Sequence, residues 1–204
     1  WRGVTVGLEV CRDHGDAPLS YGDASQCLTY FGTAEPLNTG NQKGVSSTRS
    51  LVSETETTDI YLGAATPDAD AAAFYSEKAD GDNLNGLNDE DGVITTGLDV
   101  NSTALAITAN NSSAAAATVY GWLDKDQDGS FAGDDLVIAA GGNVAAGSTN
   151  KTLTATLSGL KAGYYYARFR TGMAAGGNTT AVNSAINGEG EYYKIHIAGY
   201  AVNG

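Results

Sequence analysis

Seven consecutive residues carry the strongest chemical signal in the chain: Asp124, Lys125, Asp126, Gln127, Asp128, Gly129 and Ser130. Carboxylates at alternate positions, followed by the glycine of a sharp turn, repeat the order in which an EF-hand loop offers oxygen to calcium. The last ligand position of such a loop, usually a bidentate Glu, falls here on Asp135, whose shorter side chain predicts a tighter loop or a water in the gap. Without a cation, each like-charge pair at this spacing costs ~1 kcal/mol in water and several times that where solvent is partly excluded. A solvated Asp-rich turn is the alternative reading, but spacing, glycine and Asp135 together favour calcium. Magnesium suits the pattern less, because it keeps its waters and takes few protein ligands.

A second, more diffuse acidic stretch covers residues 68–92 and contains Asp68, Asp70, Asp80, Asp82, Asn83, Asn85, Asp89, Glu90 and Asp91. Its donors are all oxygen, with neither Cys nor His, which selects a hard cation over zinc or copper. More than one calcium ion fits there, and a flexible acidic loop is the alternative. Asp82, Asn83 and Asn85 are also candidates to touch a ligand beside an open ion. Arg168 and Arg170 share one face of an expected strand. They could clamp a ligand carboxylate, with Arg168 the ligand-binding candidate, or pair with structural acids such as Glu189 and Glu191. His196 shares a strand face with Lys194 and is expected in solvent, while His14 is given a packing role only. Tyr164, Tyr165, Tyr166, Tyr192 and Tyr193 could stack on sugars or peptides, though adjacent strand residues must face core and solvent in turn. No activated nucleophile with its base and no placed carboxylate pair is recognisable, so a ligand-holding domain is expected, not an enzyme. The sequons at Asn101, Asn110, Asn150 and Asn178 follow from Asn, Ser and Thr richness and are given no role.

The elements that must position these residues are strands. Across 204 residues there are 27 Gly, 3 Pro, 1 Met and 11 Tyr, a composition of short strands and tight turns. Apolar alternation predicts an opening strand over residues 1 to about 10, with Val4, Val6, Leu8 and Val10 on one face. A short strand is expected over 59–62. Further strands are expected over 93–96, 104–109, 115–123, 136–139, 153–157, 164–170 and 191–197, separated by turn clusters. That spacing predicts one all-β domain over residues 1–204, a calcium-stabilised antiparallel β-sandwich with long ordered loops. Residues 13–43, where turn formers mix with aromatics, are expected to drape over the surface, and 199–204 to depart as a tail. The formal charge of −13 and the lack of any basic stripe exclude nucleic acid and anionic membranes as partners and call for a cationic one. No stretch approaches the ~20 apolar residues of a membrane span, and the first residues lack the marks of a secretory signal, so a soluble piece of a longer chain is expected. Cys11 and Cys27 close a short loop, either as a disulfide in an oxidising compartment or as two unrelated buried thiols.

Several segments together resemble the GEVED-type bacterial extracellular domains, named for a Gly-Glu-Val-Glu-Asp motif. Asp13-His14-Gly15-Asp16-Ala17-Pro18-Leu19-Ser20-Tyr21-Gly22 is similar to the opening segment of that family. Tyr61-Leu62-Gly63, Pro67-Asp68-Ala69-Asp70, Asp89-Glu90-Asp91-Gly92-Val93, Gly121-Trp122-Leu123-Asp124 and Tyr166-Ala167-Arg168-Phe169-Arg170 follow in the family's order. The namesake motif is altered: Gly188-Glu189-Gly190-Glu191-Tyr192-Tyr193 keeps both Glu but puts Gly190 for Val and Tyr192 for Asp. Asp13 and Asp16 of the opening segment join the candidate calcium ligands. The resemblance implies an extracellular module on a bacterial surface, among neighbouring domains of one long chain. It further resembles the calcium-dependent peptide-binding domain of large RTX adhesins, where calcium helps hold the C-terminal carboxylate of a protein ligand on another cell. A purely structural calcium-rigidified spacer and a carbohydrate-binding domain are the alternatives.

Overall fold

The computed structural model describes residues 12–27, 58–67, 70, 73–81, 84, 88–131, 137–138, 142–173, 180–186 and 188–200. Ten strands are placed: β1 (Arg12–His14), β2 (Ala24–Cys27), β3 (Ile60–Leu62), β4 (Ala104–Asn111), β5 (Ala117–Leu123), β6 (Gly142–Val144), β7 (Ser148–Thr156), β8 (Gly163–Met173), β9 (Asn183–Ile186) and β10 (Gly188–Ile197). The described residues contain no α-helix, only a 3-10 turn at Leu19–Tyr21. The chain is therefore all-β, as its composition predicts.

Three sheets result, ordered β10-β8-β5-β6, β3-β4-β7 and β1-β2-β9, antiparallel throughout except where β2 runs parallel to β9. The first two form the sandwich. Their facing residues alternate along each strand: Ala117, Val119 and Leu123 of β5, Tyr165, Ala167 and Phe169 of β8, and Ile195 and Ile197 of β10. Opposite them lie Ile60 and Leu62 of β3, Leu105, Ile107 and Ala109 of β4, and Ala155 of β7. The period of two is what puts these apolar sets on one side.

The other face of the four-stranded sheet is covered over part of its area. Trp122 and Tyr192 there pack with Ala17, Tyr21, Phe131 and Ala181 in a second, smaller core. The sequence expectation of a surface-draped segment after Asp13 is thus corrected where it is described. Asp16, Ala17 and Ala24 are buried, and β1 and β2 form a sheet with β9. Turn formers give that segment its bends, but its small and aromatic residues give it an apolar underside. The uncovered part of the same face is open: Tyr164 and His196 stack at 4.8 Å, with Lys194 over the Tyr164 and Tyr166 rings.

Other expectations shift as well. Of the strand over 93–96 only a single bridge, Val93 to Ile107, forms. In the expected strand over 136–139, the described Val137 and Ile138 form a bend. β1, β2, β6 and β9 are too short for periodicity to reveal. The opening strand over 1–10 and Cys11 lie outside the described residues, and so does any Cys11–Cys27 disulfide.

Gly188 shows how closely β8 and β10 approach: a Cβ there would sit 1.9 Å from the backbone oxygen of Thr171. Gly188→Ala should therefore lower the stability by about 1–3 kcal/mol, read as a fall in the urea midpoint with an unchanged slope.

Candidate metal centre

Strand β5 ends at Leu123, one residue before the first carboxylate of the acidic loop. The Asp124 N–H still donates to Tyr166 O of β8 at 3.0 Å, so this residue is fixed to the sheet while the chain after it turns away. Left-handed conformations at Gln127 (φ 61) and Gly129 (φ 86) turn it back, the second being the position where the spacing requires glycine. Amides of the loop then point at its carboxylates. Asp128 N and Gly129 N each donate to Asp124 at 3.1 Å, and Ser130 N and Oγ donate to Asp128 Oδ1 at 2.8 Å.

Asp124, Asp126 and Asp128 bring one carboxylate oxygen each within 4.8 Å of one another, with Asp124 buried and the other two exposed. This all-oxygen set of three carboxylates fits a hard divalent cation, and its two exposed members leave room for outside ligands. Ser130 borders the set through Asp128, and Asp135 lies outside the described residues.

Tyr21 was not singled out from the sequence, yet its hydroxyl donates to Asp124 Oδ2 at 2.6 Å. Burial, reinforced by the Asp124 carboxylate, pushes the phenol well above its ordinary range, so it remains a donor. The Tyr21 ring also lines a groove of about 460 Å³ with Ser20, Gly22, Trp122, Phe131 and Val182. Ser130 and Tyr21 belong to both features, so the acidic loop stands at the rim of an apolar groove.

Arg168 lies beneath the groove instead of on its surface, at 1% exposure. Its guanidinium donates to Tyr21 O at 3.2 Å, Gly22 O at 2.8 Å and Ala181 O, between the rings of Phe131 and Tyr192 at 5.0 and 4.7 Å. Burial lowers its pKa, against the pull of Tyr192 and nearby acids. A direct clamp on a ligand does not suit that position. The expected pairing of Arg168 and Arg170 with Glu189 and Glu191 is also corrected by register. Arg168 faces Tyr192 and Arg170 faces Gly190 across the β8–β10 ladder, which puts the Glu side chains on the opposite side of the sheet. Arg170 donates to Thr180 O, Val182 O and Ser25 O.

The second acidic stretch is dispersed. Asp70 accepts from His14 N at 2.8 Å, Asp80 from Ser76 Oγ at 2.8 Å, and Asp91 from Ala64 N and Ala65 N at 2.8 and 3.1 Å. Asp13 accepts from Gly190 N at 2.6 Å, while Asp16 and Asp89 are buried and Glu90 is half-buried. Asp68, Asp82, Asn83 and Asn85 lie outside the described residues. Among the described residues, only the loop at 124–128 draws three carboxylates to one point.

Glu189 and Glu191 hold part of that stretch to the sheet. Glu189 accepts from Leu62 N, and Glu191 accepts from Asp91 N at 3.0 Å, Gly92 N at 2.8 Å and Tyr193 Oη at 3.0 Å. Burial raises the Glu191 carboxyl to about 8, against those hydrogen bonds to its anion. Residues 118–196 match the GEVED domain family. The GEVED match thus spans the acidic loop and both glutamates and runs from β5 into β10; Tyr21 and Asp13, which bond to it, lie outside. No curated protein and no solved structure matches the chain.

Two measurements test this site. Tyr21→Phe removes a buried hydrogen bond to a carboxylate and should cost about 1.5–3 kcal/mol in urea unfolding. Glu191 holds its proton more tightly folded than unfolded, so its contribution is present below about 4.5 and is lost as pH rises towards about 8. In chelator, melting temperature should fall across that window, and Glu191→Gln should flatten the fall.

Proposed function

We propose that this chain is a calcium-dependent adhesin module that holds a protein or peptide ligand displayed on another cell. The observation that carries the reading is the contact between two features: three carboxylates with oxygens within 4.8 Å, and an apolar groove that shares Tyr21 and Ser130 with their loop. A calcium ion held by Asp124, Asp126 and Asp128 would present a positive centre on a chain of formal charge −13. A ligand's free C-terminal carboxylate is a hard anionic oxygen donor that suits such an ion, and the side chains next to it would lie against Trp122, Phe131 and Val182. Chelation of a carboxylate and burial of apolar surface recognise a chain end without any covalent step, so the reading is a holder and not a catalyst. The GEVED match over residues 118–196, together with the ordered resemblance to adhesin domains, supports an extracellular bacterial setting with further domains on the same chain. The ligand contacts in this reading centre on the loop and groove, in place of the expected Asp82, Asn83 and Asn85.

Calorimetric titration with peptides bearing free or amidated C-termini, in calcium and in chelator, tests it. Binding should require both calcium and the free carboxylate, and Asp126→Asn should weaken calcium and peptide binding together, each by roughly tenfold. A large calcium-dependent rise in melting temperature with no peptide binding would overturn the reading in favour of a spacer.

A further inference from the structure

Five tyrosines of β8 and β10 alternate along their strands, so adjacent ones must part company. Tyr165 enters the sandwich core and Tyr192 the second core, while Tyr193 is half-buried with its hydroxyl on Glu191. Tyr164 remains, 59% exposed on the part of the sheet face that the second core does not reach. The β8–β10 register puts His196 opposite Tyr164 and Lys194 opposite Tyr166, so these four side chains share that face.

The group is held in place from several sides. The Tyr164 ring lies against the His196 imidazole with 4.8 Å between centroids and 36° between planes. Lys194 Nζ is 5.5 Å from the centre of the Tyr164 ring and 5.3 Å from that of Tyr166. It donates to Glu77 O at 2.9 Å, the carbonyl that also accepts from Tyr166 Oη at 2.5 Å. From the side of β5, Gln127 Nε2 donates to Tyr164 O at 2.9 Å. An ammonium has three N–H donors, and the exposed Lys194 keeps more than the one that Glu77 takes. Long side chains already fixed in this way lose little further entropy when a ligand arrives.

An exposed ring on a sheet face, rimmed by N–H donors, suits a ligand that is apolar on one flat side and rich in oxygen at its edge. A pyranose has that form: its C–H groups lie on the ring and its edge oxygens meet the donors. An apolar peptide side chain would instead cover Lys194 and His196 without offering them an acceptor, which costs their desolvation. The formal charge of −13 opposes an anion at long range, but physiological salt screens charge beyond ~8 Å, and at contact Lys194 supplies the opposite sign. We propose that Tyr164, Lys194 and His196 form a binding site for a carboxylated sugar, such as a hexuronate within a polysaccharide. None of the three lines the groove beside the acidic loop, so the site is a second one with a different class of ligand.

Short oligoglucuronates, and the same oligomers reduced at the carboxyl to neutral glucose oligomers, are titrated into the isotope-labelled full chain and followed by the amide NMR signals of Tyr164 and His196. Chelator is present throughout, so that no calcium on the acidic loop captures the carboxylate. The acidic oligomer should shift both signals and bind roughly tenfold more tightly than the neutral one, a preference that Lys194→Gln should abolish. Tyr164→Ala should weaken the acidic oligomer by roughly tenfold, and Tyr164→Phe, which keeps the ring, should restore it. Both side chains are exposed, so neither substitution opens the core. Absence of binding, equal binding of acidic and neutral oligomers, or affinity unchanged in Tyr164→Ala would overturn the site. So would an oligoglutamate that binds the same residues as tightly, which would put an acidic peptide in the sugar's place. Peptide capture at the loop needs calcium and is not altered by Tyr164→Ala, so either reading can fail without the other.

Discussion

An ionisable side chain buried in a β-sheet is tolerable only where hydrogen-bonding groups are fixed around it, and in this molecule those groups belong largely to the irregular segments. Arg168 and Arg170 on one face of β8 are met by carbonyls of residues 21, 22, 25 and 180–182. Glu189 and Glu191 on the opposite face of β10 are met by amides of Leu62, Asp91 and Gly92. The division is ordered by polarity: guanidinium donors collect carbonyls, carboxyl oxygens collect N–H groups. Segments with little regular hydrogen bonding of their own are thereby given fixed positions on a regular scaffold.

The loop and the groove inherit that order. Arg168 bonds the carbonyl of Tyr21, whose hydroxyl reaches Asp124, and its guanidinium lies over Phe131, which follows Ser130 in the chain. One buried cation therefore sets the wall of the groove and one edge of the acidic loop at once. A change at either place has a short covalent and hydrogen-bonded route to the other. The Arg168 side chain is in this sense a positioning group for a site whose surface it does not reach.

What could be read from the sequence follows from how local each signal is. The long strands β4, β5, β8 and β10 each contain enough alternation to declare a face, and the Asp124 loop is a purely local pattern whose oxygens do converge. The short strands β1, β6 and β9 carry too few side chains to show a period, and they form because neighbours in space complete their ladders. The Arg–Glu pairing failed for a different reason. Arg168 and Arg170 alternate along β8 and Glu189 and Glu191 along β10, but the β8–β10 register, which decides which residues share a face, is a non-local quantity. Tyr21 was missed for the same reason: it lies 103 residues from Asp124, and nothing near it in the chain points to that loop.

The two acidic regions also differ in a way that charge counting alone would hide. In the 124–128 loop the acids lie within one turn, so their convergence is imposed by backbone conformation at Gln127 and Gly129. Around β10 the acids come from β1, the segment before Val93 and β10 itself, and they feel one another's charge only once those segments have docked. Hydrogen bonds from backbone amides offset part of that charge for Asp13 and Glu191. They do not reach Glu189 Oε1. A cation at the loop would act on charges that one turn of backbone already assembles, whereas the charge around Glu189 is set by how distant segments dock.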